Sequence, residues 1–171
     1  MSVQTIFEGR IIRLTLETVT LPNGKEATLE IVHHPGGATV VALDDRQRVC
    51  LLHQFRHAAG GWVWELPAGK LDNREAPLDC AQRELMEEAG MRARNWQTLG
   101  RIISSPGVFT EVIHLYLARD LTPVPAQAED HEVFEVHWLP WGQAMAMAQR
   151  GEIEDAKTLA GLLRAQPLLG L

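Results

Sequence analysis

Cysteine is nearly absent. Two in 171 residues, Cys50 and Cys80, fit neither a disulfide framework nor a CxxC metal site. They read as two small buried hydrophobes in a reducing compartment, with a reactive thiol as the alternative. Long apolar runs are missing too. None approaches the roughly 20 residues that a membrane-spanning helix needs. The start, MSVQTIFEGR, has no basic stretch leading into an apolar one, so no secretory leader is expected. Positive charge is in short supply, with 16 Lys and Arg against 22 Asp and Glu and a formal net charge of −6. Nucleic acid and anionic membrane both need clustered cations, so neither is an expected partner. Repeats, low-complexity tracts and long linkers are lacking. What is present is ordinary for a globular domain: 46% hydrophobic and 22% charged residues, which excludes a collagen, a coiled coil and a disordered chain. A single domain over residues 1–171 is expected, long enough to bury a core without disulfides or a structural metal.

The N-terminal part reads as strands from Thr5 to His34. Arg10–Leu21 and Ala27–His34 alternate apolar and polar residues around Pro22-Asn23-Gly24-Lys25, the pattern of a hairpin. Ala38–Leu43 and Val49–Phe55 are nearly continuous apolar runs, which marks strands covered on both faces, with Asp44-Asp45 at the turn between them. A short strand, Trp62–Leu66, runs into a loop holding Pro67 and Gly69. A helix is expected to follow, with Pro77 in its first turn, Gly90 just past its end, and Leu78, Ala81, Leu85 and Ala89 as its apolar stripe. Trp96–Ser104, Val112–Ala118 and Val133–Leu139 read as further strands. Trp141–Arg150 and Asp155–Ala165 read as helices. The order predicts an α/β protein with a mixed sheet and helices on both faces.

One feature of the first helix goes beyond packing. Glu84, Glu87 and Glu88 fall within about 100° of one another around the axis, beside the apolar stripe. Like charges at i, i+4 are mildly destabilising, so Glu84 and Glu88 are costly for a helix that only has to pack. A solvated acidic face is the plain alternative. Arg83 can steady Glu87 one turn on, Glu75 stands just before the helix, and Pro67-Ala68-Gly69-Lys70 lies upstream with carbonyls that could turn inward. Carboxylates converging with a carbonyl make an all-oxygen site, suited to Mg²⁺ or Mn²⁺ and poorly suited to Zn²⁺.

Gly69, Glu75 and the run Arg83-Glu84-Leu85-Met86-Glu87-Glu88-Ala89-Gly90-Met91 resemble the Nudix box at every defined position, with Leu85 and Met91 in its hydrophobic slots. The resemblance implies an α/β/α sandwich with a mixed β-sheet. It also implies divalent-metal-dependent hydrolysis of a nucleoside diphosphate linked to another moiety. By that resemblance Glu84, Glu87, Glu88 and the carbonyl of Ala68 are metal ligands, and Arg83 and Glu75 hold the glutamates and the loop.

Features outside the box are similar to the ADP-ribose pyrophosphatase branch. Pro106, in Ser105-Pro106-Gly107, lies sixteen residues after Gly90. Gln54-Phe55-Arg56-His57 resembles that branch's Gln-Tyr-Arg stretch, whose arginine reaches substrate phosphates. Trp64-Glu65-Leu66-Pro67-Ala68-Gly69 matches the approach to the box, and Gly151–Thr158 resembles a C-terminal segment of the branch. Arg56, Glu65, Pro106 and Gly107 are thus the expected substrate-binding residues. In the 129–132 loop the resemblance places a metal-touching acid at Glu132 and the general base at Asp130, with Glu129 competing for that role. Arg83 and Glu87 complete the expected catalytic set. The NADH-type and coenzyme A markers are missing, and GDP-mannose hydrolases are the nearest rival.

The expected function is hydrolysis of ADP-ribose to AMP and ribose 5-phosphate in the cytoplasm. Other nucleoside diphosphate derivatives and a noncatalytic Nudix-fold binding module remain alternatives. An N-terminal β-hairpin arm, about residues 1–34, would be exchanged between the subunits of a homodimer, leaving 35–171 as the catalytic core. Such an arm is marginal on its own and exposes strand edges and the apolar Ile11, Ile12, Leu14 and Leu16. The histidines in the strand patterns show no ligand spacing and read as packing or surface residues.

Overall fold

The computed structural model describes residues 2–72, 75–126 and 133–170. They fall into two compact units, one of residues up to Gly36 together with Ile103–Val112, the other of Gly37–Ile102 with Ile113 onward.

In the first unit the expected hairpin is present. Strands β2 (Arg13–Thr20) and β3 (Glu26–His33) pair antiparallel. The turn between them is closed by Asn23 Oδ1 accepting from the Lys25 N–H at 3.1 Å, with Gly24 at φ 80°. A third strand, β1 (Ser2–Glu8), pairs with β2. The strand reading from Thr5 onward reaches only its second half, and an irregularity between Thr5 and Phe7 breaks its alternation. Inside the sheet the buried Thr15 hydroxyl lies 2.9 Å from both Glu17 Oε1 and His33 Nε2. The 103–112 segment joins through Val32, which donates to the Val108 carbonyl at 2.7 Å and accepts from the Thr110 N–H at 2.9 Å.

The second unit carries two sheets. Strands β4 (Gly37–Ala42), β7 (Ala68–Lys70), β8 (Met91–Ile103) and β9 (Val112–Pro123) form a mixed sheet in the order β7-β4-β9-β8. In it β4 runs parallel to β9 and antiparallel to β7. Strands β5 (Arg48–Arg56), β6 (Gly61–Glu65) and β10 (Phe134–Pro140) form an antiparallel sheet in the order β10-β5-β6. Consecutive β4 and β5 thus lie in different sheets. The chain turns between them on Asp44, whose Oδ1 accepts from the Arg46 and Arg48 N–H groups at 2.9 and 2.8 Å. Helices α1 (Pro77–Ala89), α2 (Trp141–Gln149) and α3 (Ala156–Ala165) follow the expected boundaries closely.

The apolar runs are covered on both faces along most of their length, except that Phe55, the last residue of the second run, is exposed. Every residue of β4 is buried. Ala38, Val40 and Ala42 pack with Cys80, Ala81 and Leu85 of α1. Val41 joins Leu115, Leu117 and the Ala144, Met147, Leu162 and Ala165 side chains of α2 and α3 in a second cluster. This is the α/β/α layering with a mixed sheet expected from the sequence. One correction concerns the loop before α1. Ala68–Lys70, read as loop, is a strand that pairs with Gly37–Thr39. No helix among the described residues is long and apolar enough to cross a membrane.

Candidate active site

The site is built on α1 and on β7 beside it. Pro77 occupies the first turn, where its missing N–H costs nothing. Gly90 ends the helix at φ 62°, sending its N–H back to the carbonyls of Leu85 and Met86. The apolar stripe turns α1 so that Glu84 and Glu88 face inward. They are 7% and 2% exposed, so the reading of these two as a solvated acidic face is set aside. Glu88 Oε2 accepts from the Ala68 N–H at 2.8 Å, which ties the last turn of α1 to the first residue of β7. Glu84 lies against Gly69, and a methyl at that glycine would land on its carboxylate.

Arg83 sits at the centre of the acidic cluster. Its NH1 donates to Glu84 Oε1 at 2.6 Å and to Glu87 Oε2 at 2.9 Å. Its NH2 donates to Glu75 Oε1 at 2.8 Å and to the Lys70 carbonyl at 3.3 Å. Glu75 Oε1 also accepts from the Asp72 N–H at 2.9 Å, so one guanidinium spans loop and helix. Hydrogen bonds from Arg83 hold the Glu75 carboxyl below its usual range, against a smaller opposing effect of burial. The same bonds raise the pKa of Arg83. Burial, reinforced by the charges of Glu84 and Glu75, pushes the Cys80 thiol up to about 12, so it is an inert packing group rather than a nucleophile.

A divalent cation is the cofactor of the chemistry that this motif serves, and the donor set suits one. Glu84, Glu87, Glu88 and the Ala68 carbonyl are all hard oxygen donors. The bare Cα of Gly69 leaves the space that the Glu84 carboxylate fills. Among the described residues no three acidic, His or Cys side chains already converge on one ion position. Arg83 bridges Glu84 and Glu87 instead, so an ion there would share those carboxylates with it.

Residues 33–162 match the model of the NUDIX domain. The chain belongs to the Nudix hydrolase family. It is 37% identical over 166 residues to the ADP-ribose pyrophosphatase of Mycobacterium tuberculosis, covering 95% of this chain and 80% of that protein. It is 35% identical over 152 residues to the GDP-mannose pyrophosphatase of Yersinia enterocolitica, covering 84% of this chain and 74% of that one. A crystal structure of an ADP compounds hydrolase superposes with a TM-score of 0.86 over 99% of this chain and 92% of that chain, at 19% identity, and shows the same fold.

A second cluster of this Nudix hydrolase joins two further residues singled out from the sequence. Arg56, at the end of β5, grips Glu65, at the end of β6, with Nε to Oε1 at 2.8 Å and NH2 to Oε2 at 3.0 Å. Burial opposes ionisation of Glu65, yet the Arg56 hydrogen bonds and the charge of Lys157 outweigh it and hold the carboxyl below its usual range. Pro106 and Gly107 lie in the 103–112 segment of the other unit. Glu129, Asp130 and Glu132 lie outside the described residues. Sequence reasoning gave no role to Lys157, Asp155 and Thr158. Their only signal was the family-like Gly151–Thr158 segment, because Glu65 and Leu66, which Lys157 and Thr158 meet, are 92 residues away from them.

Proposed function

We propose that this hydrolase cleaves the pyrophosphate bond of ADP-ribose, releasing AMP and ribose 5-phosphate, with Mg²⁺ as its cofactor. The observation that carries the reading is the pair of buried carboxylates, Glu84 and Glu88, aimed from one helix at the backbone of β7. A helix that only packs would not bury two acids one turn apart. The similarity to an ADP-ribose pyrophosphatase over nearly the whole chain supports the substrate.

Glu84, Glu87, Glu88 and the Ala68 carbonyl would hold Mg²⁺. When bound, the cation neutralises the pyrophosphate and lowers the pKa of attacking water. The residues of the chain supply the rest. Arg83 fixes the glutamates and, through Glu75, the loop before the helix. Arg56 offers its guanidinium to the phosphates, a geometry for which arginine is suited. Asp130, with Glu129 as the rival, takes a proton from the attacking water, and Glu132 joins the metal ligands. Cys50 and Cys80, both free thiols, accord with a cytoplasmic setting.

The test is Mg²⁺-dependent hydrolysis across a panel of nucleotide sugars. The expected result is the highest kcat/KM for ADP-ribose, with AMP and ribose 5-phosphate as products. The similarity to a GDP-mannose pyrophosphatase supports a second reading, which a preference for GDP-mannose would establish. No turnover of any member would leave a binding module.

The enzyme acts as a homodimer that exchanges its N-terminal strands. Val3, Ile6, Phe7, Ile11 and Ile12 are large apolar side chains exposed on this unit, more than a small sheet leaves open to water. Deleting residues 1–34 should abolish both dimer and activity. Light scattering decides it: a fully active monomer near 19.1 kDa would refute the exchange.

A further inference from the structure

Glu65 is 4% exposed and ionised, and a buried carboxylate survives only with charged partners. Arg56 supplies one side. Lys157 supplies the other, donating from Nζ to Glu65 Oε2 at 2.6 Å. Lys157 is itself shared, lying 3.0 Å from Asp155 Oδ1. Asp155 caps α3, its Oδ2 accepting from the Thr158 N–H at 3.0 Å and from the Thr158 hydroxyl at 2.6 Å. The Thr158 hydroxyl in turn accepts from the Leu66 N–H at 2.8 Å. The end of β6 is therefore clamped to the first turn of α3 at two successive residues, by the side chain of Glu65 and by the backbone of Leu66.

The charges alternate along this row: Arg56, Glu65, Lys157, Asp155. Burial changes along it as well. The side chain of Lys157 is 13% exposed and that of Arg56 42%. The row is most buried at Glu65 and Lys157 and more exposed at the guanidinium. Each link removes a freedom from the next. Asp155 and Glu65 fix the ammonium of Lys157. The ammonium, bound to one oxygen of Glu65, stops that carboxylate from rotating about its terminal bond. The carboxylate, gripped by two parallel N–H bonds, then sets the plane of Arg56. A planar fork held along one edge presents its opposite edge in one direction.

We propose that Lys157 is a positioning residue for the reaction: through Glu65 it aims the Arg56 guanidinium at the substrate phosphates. This rests on the reading of Arg56 as a phosphate contact. Binding pre-organised in this way appears in KM, because an arginine free to turn must be ordered when the substrate arrives.

The experiment is a double-mutant cycle on the full-length Mg²⁺-loaded enzyme with ADP-ribose, reading KM and kcat separately. Arg56→Ala is expected to raise KM by about tenfold or more. Lys157→Met is expected to raise KM severalfold with kcat little changed, and Lys157→Arg, which keeps the charge, to restore most of it. In the Arg56→Ala background Lys157→Met should add nothing further, since its effect passes through Arg56. A full additive rise in the double variant would overturn the proposal, as would an unchanged KM in Lys157→Met beside a raised one in Arg56→Ala. If Arg56→Ala itself leaves KM flat, the phosphate role of Arg56 fails first and the positioning role falls with it. Lys157→Gln, a neutral donor, covers the case in which the methionine variant does not fold. It should give a KM between the wild-type and Arg56→Ala values, and a wild-type KM for it would count against the proposal.

Discussion

Gly69→Ala is a demanding perturbation, because it alters no charged residue and removes no ligand. Gly69 pairs with Ala38 inside β7, so its backbone cannot retreat. The added methyl would fall on the Glu84 carboxylate, and that side chain must swing away. Doing so breaks the 2.6 Å bond from Arg83, a charge-assisted contact worth about 1.5–3 kcal/mol. For a chain of this size that is a fall in Tm of about 3–12 °C. The effect on catalysis should be larger than the effect on stability. A reacting-group misplacement on the order of 1 Å costs about a hundredfold in rate. Thermal melts and initial rates over a Mg²⁺ titration read both quantities. Gly142→Ala is the control, since its Cβ meets nothing and alanine favours the helix it lies in. It should keep full activity and at least the wild-type Tm. A folded Gly69→Ala enzyme with wild-type turnover would show that the position of Glu84 does not govern the chemistry.

Glu88→Gln should lower turnover by about two orders of magnitude at saturating Mg²⁺ while the protein stays folded; near-normal rates would remove Glu88 from the metal ligands. Thr158→Val leaves the buried Leu66 N–H without its partner and the Asp155 cap without a hydroxyl, which should cost about 2 kcal/mol, or about 4–8 °C in Tm, measured by calorimetry. Acid should destabilise the fold through Glu65, whose carboxyl titrates lower in the folded chain than in the unfolded one. The unfolded chain therefore takes up its proton first as pH falls. The contribution is complete above the ordinary value of 4.5 and is lost as pH drops through the depressed folded value. Tm followed from about pH 6 to about pH 3 should fall less steeply in Glu65→Gln than in wild type.

Local chemistry was legible in the sequence, and pairing at a distance was not. Helix α1 could be bounded because Pro77 and Gly90 act on their own turns. The continuous runs of β4 and β5 announced strands buried on both faces. By contrast, Ala68–Lys70 looks like loop beside Pro67, and becomes a strand only because Gly37–Thr39 offers it an edge. The periodicity of α1 put Glu84 and Glu88 on a face of their own and brought the 67–70 stretch toward them, but that this stretch is a strand meeting Glu88 through the Ala68 N–H was not legible there. The grip of Lys157 on Glu65 is hidden in the same way, since nothing near either residue names the other.

The parallel pairing of β4 with β9 bears on when the enzyme acquires its site during synthesis. Chains emerge from the ribosome N-terminus first, and a parallel partner must wait for the whole crossover between the strands. By the time Met91 has emerged, every residue of the Nudix box is outside. Strand β4 then has only the three-residue β7 along one edge, because residues 113–118, its neighbours on the other side, are still inside the tunnel. Strand β4, on which both α1 and β7 pack, is still open along that edge. A nascent chain arrested at that point should carry the complete signature and bind Mg²⁺ no better than an unfolded acidic peptide, and the capacity should appear only once β9 is free of the exit tunnel.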